Sequence, residues 1–358
     1  MKLWKRCSAL FCAAALSLAM LAGCSGGGAV SSAAPASSAA EESAPAEESA
    51  GAESQPASEA GEEVTVRIGA LKGPTGLGML QMMQSAENGE KPYEFTLAGA
   101  ADEITGKLTT GELDAAALPT NSAAMLYNKT EGALQIAMVN TLGVLYLVTA
   151  GDAEVDSIAD LAGKTVYSSG QGAVPEYAFN YILSANGLEA GTDVTVEYKT
   201  EHSEIAALMA SGQAEIAVLP EPFVTQATGQ NPDLTVALDL TEEWDKAAGG
   251  ASILTMGCLV VRREFAENNK EALDALLEDY KASVEYVNNN PAEAAQISEQ
   301  VDLIPAAVAE KAIPKCNIVY LDGAEMKEKL PGFLNILFEA NPQSVGGVLP
   351  GDDFYYEK

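Results

Sequence analysis

The sequence contains a single histidine, His202, and its five cysteines form neither a Cys-x-x-Cys pair nor a cluster with that histidine. Zinc sites need several such ligands close together, so the sequence argues against a zinc protein. Lysine and arginine number only 20 against 51 acidic residues, which gives a formal charge of −31. Such a chain repels phosphate backbones, which excludes nucleic acid as a partner. The acids are spread over predicted helix surfaces such as residues 264–279, so they favour solubility and identify no substrate.

The apolar run at residues 9–22 is too short to span a membrane, and basic residues precede it at positions 2, 5 and 6. The run ends in Leu21-Ala22-Gly23-Cys24, which resembles the lipobox of bacterial lipoproteins. We therefore predict a signal peptide at residues 1–23 and acyl chains such as palmitate on Cys24. The protein would then be anchored to the outer face of the cell membrane without spanning it. A chance cysteine after small residues is the alternative.

Residues 25–62 consist almost entirely of Ala, Ser, Gly, Pro and Glu, with no aromatic residue, lysine or arginine. Such a composition cannot bury a core, so residues 24–62 are interpreted as the lipidated cysteine and a disordered tether. The remaining chain, from Glu63 to Lys358, is long enough for two domains of ordinary size.

Two cysteines, Cys258 and Cys316, belong to this folded part, and each lies in or beside an apolar run. They could form a disulfide or remain two buried free thiols. The second interpretation is favoured because a chain of this size needs no covalent cross-link.

Residues 97–119 are repeated, without gaps, at residues 198–220. Each copy predicts a helix N-cap (Asp102 or Ser203), a short helix ended by glycine, a buried strand, and a proline that stops it. The matching pairs are Glu103 and Glu204, Ile104 and Ile205, Gly111 and Gly212, Ala116 and Ala217, Leu118 and Leu219, and Pro119 and Pro220. Two such units indicate two similar lobes.

The same order of elements surrounds each copy. A strand at residues 64–71 leads into a glycine-rich loop at 72–76, and a strand at 165–167 leads into a small-residue loop at 168–172. Each loop is followed by a helix, then a strand and the repeat, which is a βαβ pattern typical of parallel sheets. Ligands lie beyond the carboxyl ends of such strands, so the loops are expected to face one cleft. A glycine-rich loop at a helix start suits an anion, although a plain turn is the alternative.

Further along the chain, residues 152–162 are predicted to be helical, and helices dominate after residue 262. We expect the C-terminal helices to return to the first lobe. The predicted first lobe is therefore residues 63–149 plus 250–358, and the second lobe is residues 150–249.

Three stretches carry a resemblance to a known family. They are residues 111–119, residues 157–166 with their Asp-Leu-x-Gly-Lys core, and residues 212–222, which end in Leu-Pro-Glu-Pro. In these the chain resembles the substrate-binding lipoproteins of bacterial ABC importers, in the nitrate/sulfonate/taurine and thiamine-precursor group. The resemblance implies an α/β, two-lobed periplasmic-binding-protein-like (type II) fold, with a mixed, mainly parallel sheet in each lobe. The chain would cross between lobes near residues 148–152 and 239–252.

The resemblance also implies that loops from both lobes line the ligand cleft. The implied residues are Pro74, Thr75, Gly76, Thr120, Asn121, Thr141, Ser168, Ser169, Gln171, Gly172, Glu221 and Pro222.

Only Lys72 adds a positive charge near these loops, which argues against nitrate or bicarbonate. Backbone N–H groups and hydroxyls would suit a sulfonate or carboxylate, whereas Glu221 would suit an amine or a heterocyclic N–H. Glu221 as a surface acid after a strand is the other interpretation. His202, with no evident nucleophile or base partner in the sequence, is interpreted as part of the local structure.

We therefore expect an extracytoplasmic receptor that captures a small organic solute (a sulfonate, carboxylate or heterocyclic precursor) and delivers it to an ABC permease. It is expected to be a monomer and not an enzyme, with no catalytic residue, cofactor or metal. An enzyme or a ligand sensor on the same fold is the alternative. Trp244 is predicted to lie near the second crossing, where it would report closure of the lobes.

Overall fold

The computed structural model of the chain describes residues 64–151 and 153–358. The predicted signal peptide, the lipidated Cys24 and the tether lie outside these residues. Within them, no helix is long and apolar enough to cross a membrane.

Strands and helices alternate through the first two thirds of this region, and helices dominate the remainder. The strands are β1 (Val66–Leu71), β2 (Tyr93–Ala98), β3 (Ala115–Pro119), β4 (Leu134–Leu142), β5 (Leu145–Ala150), β6 (Thr165–Ser169), β7 (Thr195–Lys199), β8 (Ile216–Pro220), β9 (Leu234–Asp239), β10 (Thr255–Arg262) and β11 (Ile318–Asp322). The helices are α1 (Pro74–Leu77), α2 (Leu80–Glu87), α3 (Ala101–Thr110), α4 (Thr120–Lys129), α5 (Val174–Ala185), α6 (His202–Ala210), α7 (Phe223–Gln230), α8 (Leu240–Ala248), α9 (Arg263–Asn268), α10 (Lys270–Asn289), α11 (Pro291–Gln300), α12 (Ala306–Ala312) and α13 (Gly323–Ala340).

The strands form two sheets of matching topology. The first sheet has the order β11-β4-β10-β3-β1-β2, and the second has the order β7-β6-β8-β5-β9. In each sheet the three strands of the βαβ units are parallel, and the next strand, β10 or β5, is antiparallel to them. Each sheet with its surrounding helices is one lobe. The mixed sheets that the resemblance implied are therefore confirmed; of the nine strand pairings in the described residues, four are parallel and five are antiparallel.

The two repeat copies fold in the same register. Helix α3 begins at Ala101 and α6 at His202, and the following strands begin at Ala115 and Ile216. The expected N-caps, Asp102 and Ser203, are wrong. The caps are Ala100 and Glu201, each two residues earlier in the chain, and neither side chain accepts a hydrogen bond from its helix. Gly111 ends α3 in the left-handed conformation (φ 82°), as its position predicted.

The first crossing between lobes differs from the expected residues 148–152. Strand β5 pairs with β8 and β9 of the second sheet, so the chain leaves the first sheet at Gly143–Val144. The sequence from β4 into β5 is largely apolar, and its break at Asn140-Thr141-Leu142-Gly143 is also what a hairpin loop would show. Gly143 is needed here because a Cβ at this position would lie 2.3 Å from the Thr241 hydroxyl. Residues up to 149 were predicted to belong to the first lobe, but the chain from residue 145 onward, which forms β5, belongs to the second sheet.

Residues 153–162 are mostly irregular rather than helical. A 3₁₀ turn occupies only Ile158–Leu161, and Ser157 and Asp160 cap it reciprocally. The short polar side chains that suggested a helix instead bind nearby backbone groups, with the Asp160 carboxylate accepting from Ser157 N at 2.8 Å.

The C-terminal helices return to the first lobe, where α10, α11 and α12 pack against the apolar side chains of β1 and α2. Strand β11, which the sequence analysis did not predict, adds an edge to the first sheet beside β4. Cys258 and Cys316 are free and buried, as expected.

Trp244 lies where the two lobes join. Its indole is fully buried, with ring centroids 4.8 Å from Tyr181 of α5 and 5.6 Å from Phe333 of α13. Because α5 belongs to the second lobe and α13 packs on β11 and β4 of the first, movement of the lobes would change the surroundings of this ring.

Candidate functional site

A cavity of about 480 Å³ lies between the two sheets. This volume falls in the range of sites that enclose small organic molecules. Both lobes contribute to its wall. The lining residues are 71–75, 99–102, Pro119 and Met256 from the first lobe, and Gly170, Gln171, Ala173, Pro175, residues 198–202 and Pro220 from the second lobe.

The starts of three helices meet at this cavity. The N-cap residues of α3, α5 and α6 are Ala100, Ala173 and Glu201, and none of their side chains accepts a hydrogen bond from its helix. All three caps line the cavity. Helix starts carry partial positive charge and free backbone N–H groups, so this end of the cavity favours negatively charged oxygen atoms.

Charged side chains on the wall are balanced in number. Lys72 and Lys199 supply two positive groups, and Asp102 and Glu201 supply two negative ones. Lys72 pairs with Asp302 at 2.7 Å, but the Asp302 side chain is 95% exposed. An ion pair so exposed contributes little stability, and Lys72 can exchange its partner for a ligand anion at low cost.

Thr75 presents a buried hydroxyl without a partner. The residue is 7% exposed and lines the cavity, and its Oγ1 makes no hydrogen bond within the described residues. Gly257 on β10 makes room for it, because a Cβ at Gly257 would lie 2.3 Å from Thr75 Cγ2. A buried hydroxyl without a partner is destabilising, and a ligand oxygen within the cavity would remove that cost.

His202 and Ser169 form a hydrogen-bonded pair at the second lobe's side of the cavity. Ser169, at the end of β6, is 1% exposed, and its Oγ makes a short hydrogen bond with His202 Nδ1. The imidazole also packs on Phe223, with ring centroids 5.3 Å apart. Burial lowers the pKa of His202 to about 4, against the opposing effect of Glu201. The expectation that His202 has no chemical partner is wrong.

Of the residues that the family resemblance implied, Pro74, Thr75 and Gln171 lie on the cavity wall. The others lie behind it or beside it. They are Gly76, Thr120, Asn121, Thr141, Ser168, Ser169, Gly172, Glu221 and Pro222. Their assignment as ligand-binding residues stays a prediction.

Asn121 joins the lobes instead of lining the wall. Its Nδ2 donates to Gly172 O of the second lobe and to Ser344 O, each at 3.1 Å. Thr141 lies on β4 and donates to Asn140 Oδ1 at 2.9 Å. These two side chains are therefore used within the protein.

Glu221 is neither a surface acid nor a residue of the cavity wall. It is 1% exposed and accepts hydrogen bonds from Thr225 N and Thr225 Oγ1, each at 3.0 Å. Lys315 of the first lobe lies 3.6 Å from its carboxylate. Burial raises the pKa of Glu221 despite these stabilising contacts. Glu221 thus connects the lobes near Gly143–Val144, where its N–H donates to Val144 O at 3.0 Å.

The sequence analysis missed residues 99–102, residues 198–202 and Met256 as parts of the wall. Ligand contacts were expected at residues just after the proline that ends each repeat copy, whereas the cavity is lined by that proline (Pro119 or Pro220) and by the first residues of each copy. A signal was available, because 99–102 and 200–202 follow β2 and β7, whose carboxyl ends lie at the same sheet edges as those of β1 and β6.

Comparison with known families gives one match. A family model described as menaquinone biosynthesis matches residues 79–313, about two thirds of the chain. The chain belongs to this menaquinone-biosynthesis family. No match was found among functionally curated sequences.

Similar solved structures include an ABC transporter protein and periplasmic binding proteins. An ABC transporter protein from Parabacteroides distasonis is 25% identical, with a TM-score of 0.68, and the match covers 82% of this chain and 99% of that one. The periplasmic aliphatic sulphonate-binding protein SsuA from Escherichia coli is 16% identical, with a TM-score of 0.64 and coverage of 82% and 92%. The periplasmic nitrate-binding protein NrtA from Synechocystis is 17% identical, with a TM-score of 0.54 and coverage of 69% for both. These matches confirm the periplasmic-binding-protein-like fold.

The expectation that the protein is not an enzyme is wrong in light of its family. A family of menaquinone biosynthesis points to an enzyme, even though the structural relatives are binding proteins. The sequence shows no evident nucleophile–base pair, and for that reason it favours a receptor and leaves an enzyme as the alternative. The Ser169–His202 contact forms only in the fold, between residues 33 positions apart.

The burial of Glu221 predicts a pH effect on stability. A carboxyl with a raised pKa binds its proton more tightly in the folded chain, so stability falls as the pH rises above the ordinary value of 4.5. The neutral variant Glu221→Gln should escape this loss. The free energy of unfolding of the wild type relative to Glu221→Gln should therefore decrease with rising pH, as measured by denaturant titration at a series of pH values. The exposed Glu189→Gln is the control, and a difference independent of pH would contradict the prediction.

Proposed function

We propose that this protein is the solute-binding component of an ABC import system and captures a small organic anion in the cavity between its lobes. The observation that carries the proposal is the convergence of three helix starts and the unpartnered Thr75 hydroxyl on one cavity. The similarity to binding components of ABC transporters supports the same assignment.

The cavity wall favours a ligand with one charged end and an apolar body. The helix starts and Thr75 suit a carboxylate or sulfonate, while Leu71, Pro119, Pro220 and Met256 offer an apolar surface. The wall includes no arginine, which disfavours strongly hydrated inorganic oxyanions. A heterocyclic precursor that carries an acidic group fits the same description.

The two-lobed construction supports the proposed delivery to a permease. A ligand that contacts both lobes stabilises their closed arrangement, and a closed form differs in surface from an open one. A permease can therefore distinguish the loaded protein. We infer an extracytoplasmic location with a lipid anchor at Cys24. The inference rests on the order of three sequence features, which are basic residues, then an apolar run, then the lipobox-like segment.

An enzyme of menaquinone biosynthesis is the second candidate function. The family assignment favours it, and His202 with its Ser169 contact supplies a polar group on the cavity wall. Both candidates require a small organic ligand in the same cavity. The two candidate functions differ in whether the protein releases the ligand chemically unchanged or converts it.

A ligand screen tests the proposal. In the full chain carrying Trp4→Phe, Trp244 is the only tryptophan, and a bound solute should change its fluorescence as the lobes close. A panel of alkanesulfonates, taurine, aromatic carboxylates, pyrimidines and flavins would be screened by thermal shift, where a ligand at 100 times its Kd adds about 2.7 kcal/mol of stability. If no member stabilises the protein, the proposal loses its basis.

Mass spectrometry of the recovered ligand then separates the candidates. An unchanged ligand, together with its uptake by cells that carry the gene and not by cells that lack it, supports the importer component. A converted ligand supports the enzyme and overturns the receptor assignment.

Thr75 provides a residue-level prediction. Thr75→Val removes a buried hydroxyl that has no partner, so the free energy of unfolding should rise while affinity for a hit from the screen falls about tenfold. Thr255→Val is a matched control, because Thr255 also has a buried, unpartnered Oγ1 but does not line the cavity. The control should gain stability and keep its affinity, as measured by denaturation and fluorescence titration. Equal affinities for all three proteins would contradict the assignment of Thr75.

Lipidation is tested by metabolic labelling. Cells grown with an alkyne analogue of palmitate should label the wild-type chain and Cys12→Ala but not Cys24→Ala, because Cys12 lies in the segment predicted to be removed. Label on Cys24→Ala, or none on the wild type, would exclude the proposed anchor.

A further inference from the structure

We propose that His202 is a ligand-orienting hydrogen-bond donor. Ser169 fixes its neutral imidazole as the Nε2–H tautomer, and the cavity therefore selects a ligand with an oxygen acceptor at this position. The inference rests on the proposed binding function and extends it, because it names which chemical group of the ligand meets this side of the wall.

The direction of the Ser169–His202 hydrogen bond follows from burial. The Ser169 side chain is 1% exposed, and His202 Nδ1 is the partner recorded for its hydroxyl. If Nδ1 carried a proton and donated it, the Ser169 hydroxyl hydrogen would be buried without an acceptor, at a cost of about 1–3 kcal/mol. Ser169 therefore donates, Nδ1 accepts, and the proton of the neutral ring lies on Nε2.

The second nitrogen is free for a ligand. His202 lines the cavity, and its Nε2 makes no hydrogen bond to the described residues. Phe223 packs on the ring and holds its plane. The neighbouring charged groups are Glu201 and Glu204 on the same segment and Lys199 at the end of β7. Burial lowers the pKa of His202 by more than Glu201 raises it.

This tautomer decides between two ligand classes that the sequence leaves open. An N–H donor at His202, beside the positive start of α6, meets a carboxylate, sulfonate or carbonyl oxygen. The opposite tautomer would present an acceptor and would suit an amine or a heterocyclic N–H. Glu221 was the other residue expected to bind a ligand N–H group. Its carboxylate instead accepts hydrogen bonds from Thr225, and the residue does not line the cavity.

Nitrogen NMR tests the tautomer directly, without a ligand. The chain contains one histidine, so a ¹⁵N-labelled sample gives a single pair of imidazole signals. We expect the ¹⁵N chemical shift of Nε2 to be that of a protonated ring nitrogen and the shift of Nδ1 to be that of an unprotonated one. Both shifts should stay unchanged from pH 5 to pH 8. The reverse assignment, or a doubly protonated ring at pH 6, would overturn the proposal.

Two serine variants separate tautomer control from general structure. Ser169→Ala should leave both tautomers populated, whereas Ser168→Ala, equally buried on the neighbouring position of β6, should leave the two signals in place. Ser169→Thr keeps the hydroxyl and should restore the wild-type pattern. A wild-type pattern in a folded Ser169→Ala protein would show that Ser169 does not set the tautomer.

Ligand binding supplies the second readout. A hit from the screen should shift the Nε2 signal more than the Nδ1 signal. His202→Leu should weaken its binding about tenfold, and His202→Gln, whose amide N–H replaces Nε2–H, should restore most of the affinity. A bound ligand that leaves the NMR signal of Nε2 unchanged would refute the role of His202. Absence of any ligand would instead count against the proposed function, while the NMR tautomer remains a separate result.

Discussion

The site depends on one geometric constraint, which is that parallel strands bring their carboxyl ends to one edge of a sheet. In each lobe, the chain leaves that edge and enters a helix, so helix starts accumulate there. Because the two lobes have matching strand order, their edges face each other, and the starts of α3, α5 and α6 converge on one cavity. The positive ends of these helices support the proposal that the cavity binds an anion, independently of any single side chain.

The repeated segment performs two tasks that are separated along its length. Its strands, β3 and β8, are buried in the centres of the two sheets. Its first residues, near Ala100 and Glu201, form opposite walls of the cavity. The repeated pattern therefore contributes both to the fold and to the paired walls of the cavity. The residues that differ between the copies at these positions, Ala101 and His202, make the two walls chemically unequal.

The family and the structural relatives describe two uses of one architecture. The family model is one of menaquinone biosynthesis, and the similar solved structures include an ABC transporter protein and periplasmic binding proteins for sulphonate and nitrate. Both uses require a closed cavity that holds a small organic molecule away from water. The polar contacts that join the lobes, Asn121 to Gly172 and Lys315 to Glu221, serve either use, because they stabilise closure and leave the cavity wall to the ligand.

Local sequence pattern determined most of the strands and helices, the matching lobes and the glycine-rich loop that carries Thr75, since strand and helix periods and turns are properties of neighbouring residues. It did not determine the N-caps of α3 and α6, the irregular residues 153–162 or strand β11. Tertiary structure alone decided three features. The crossing at Gly143–Val144 depends on which sheet β5 joins, the location of Glu221 depends on contact with Lys315, and the chemistry of His202 depends on Ser169. Each joins residues far apart in the chain, and burial sets the energy of each contact, so no local pattern encodes it.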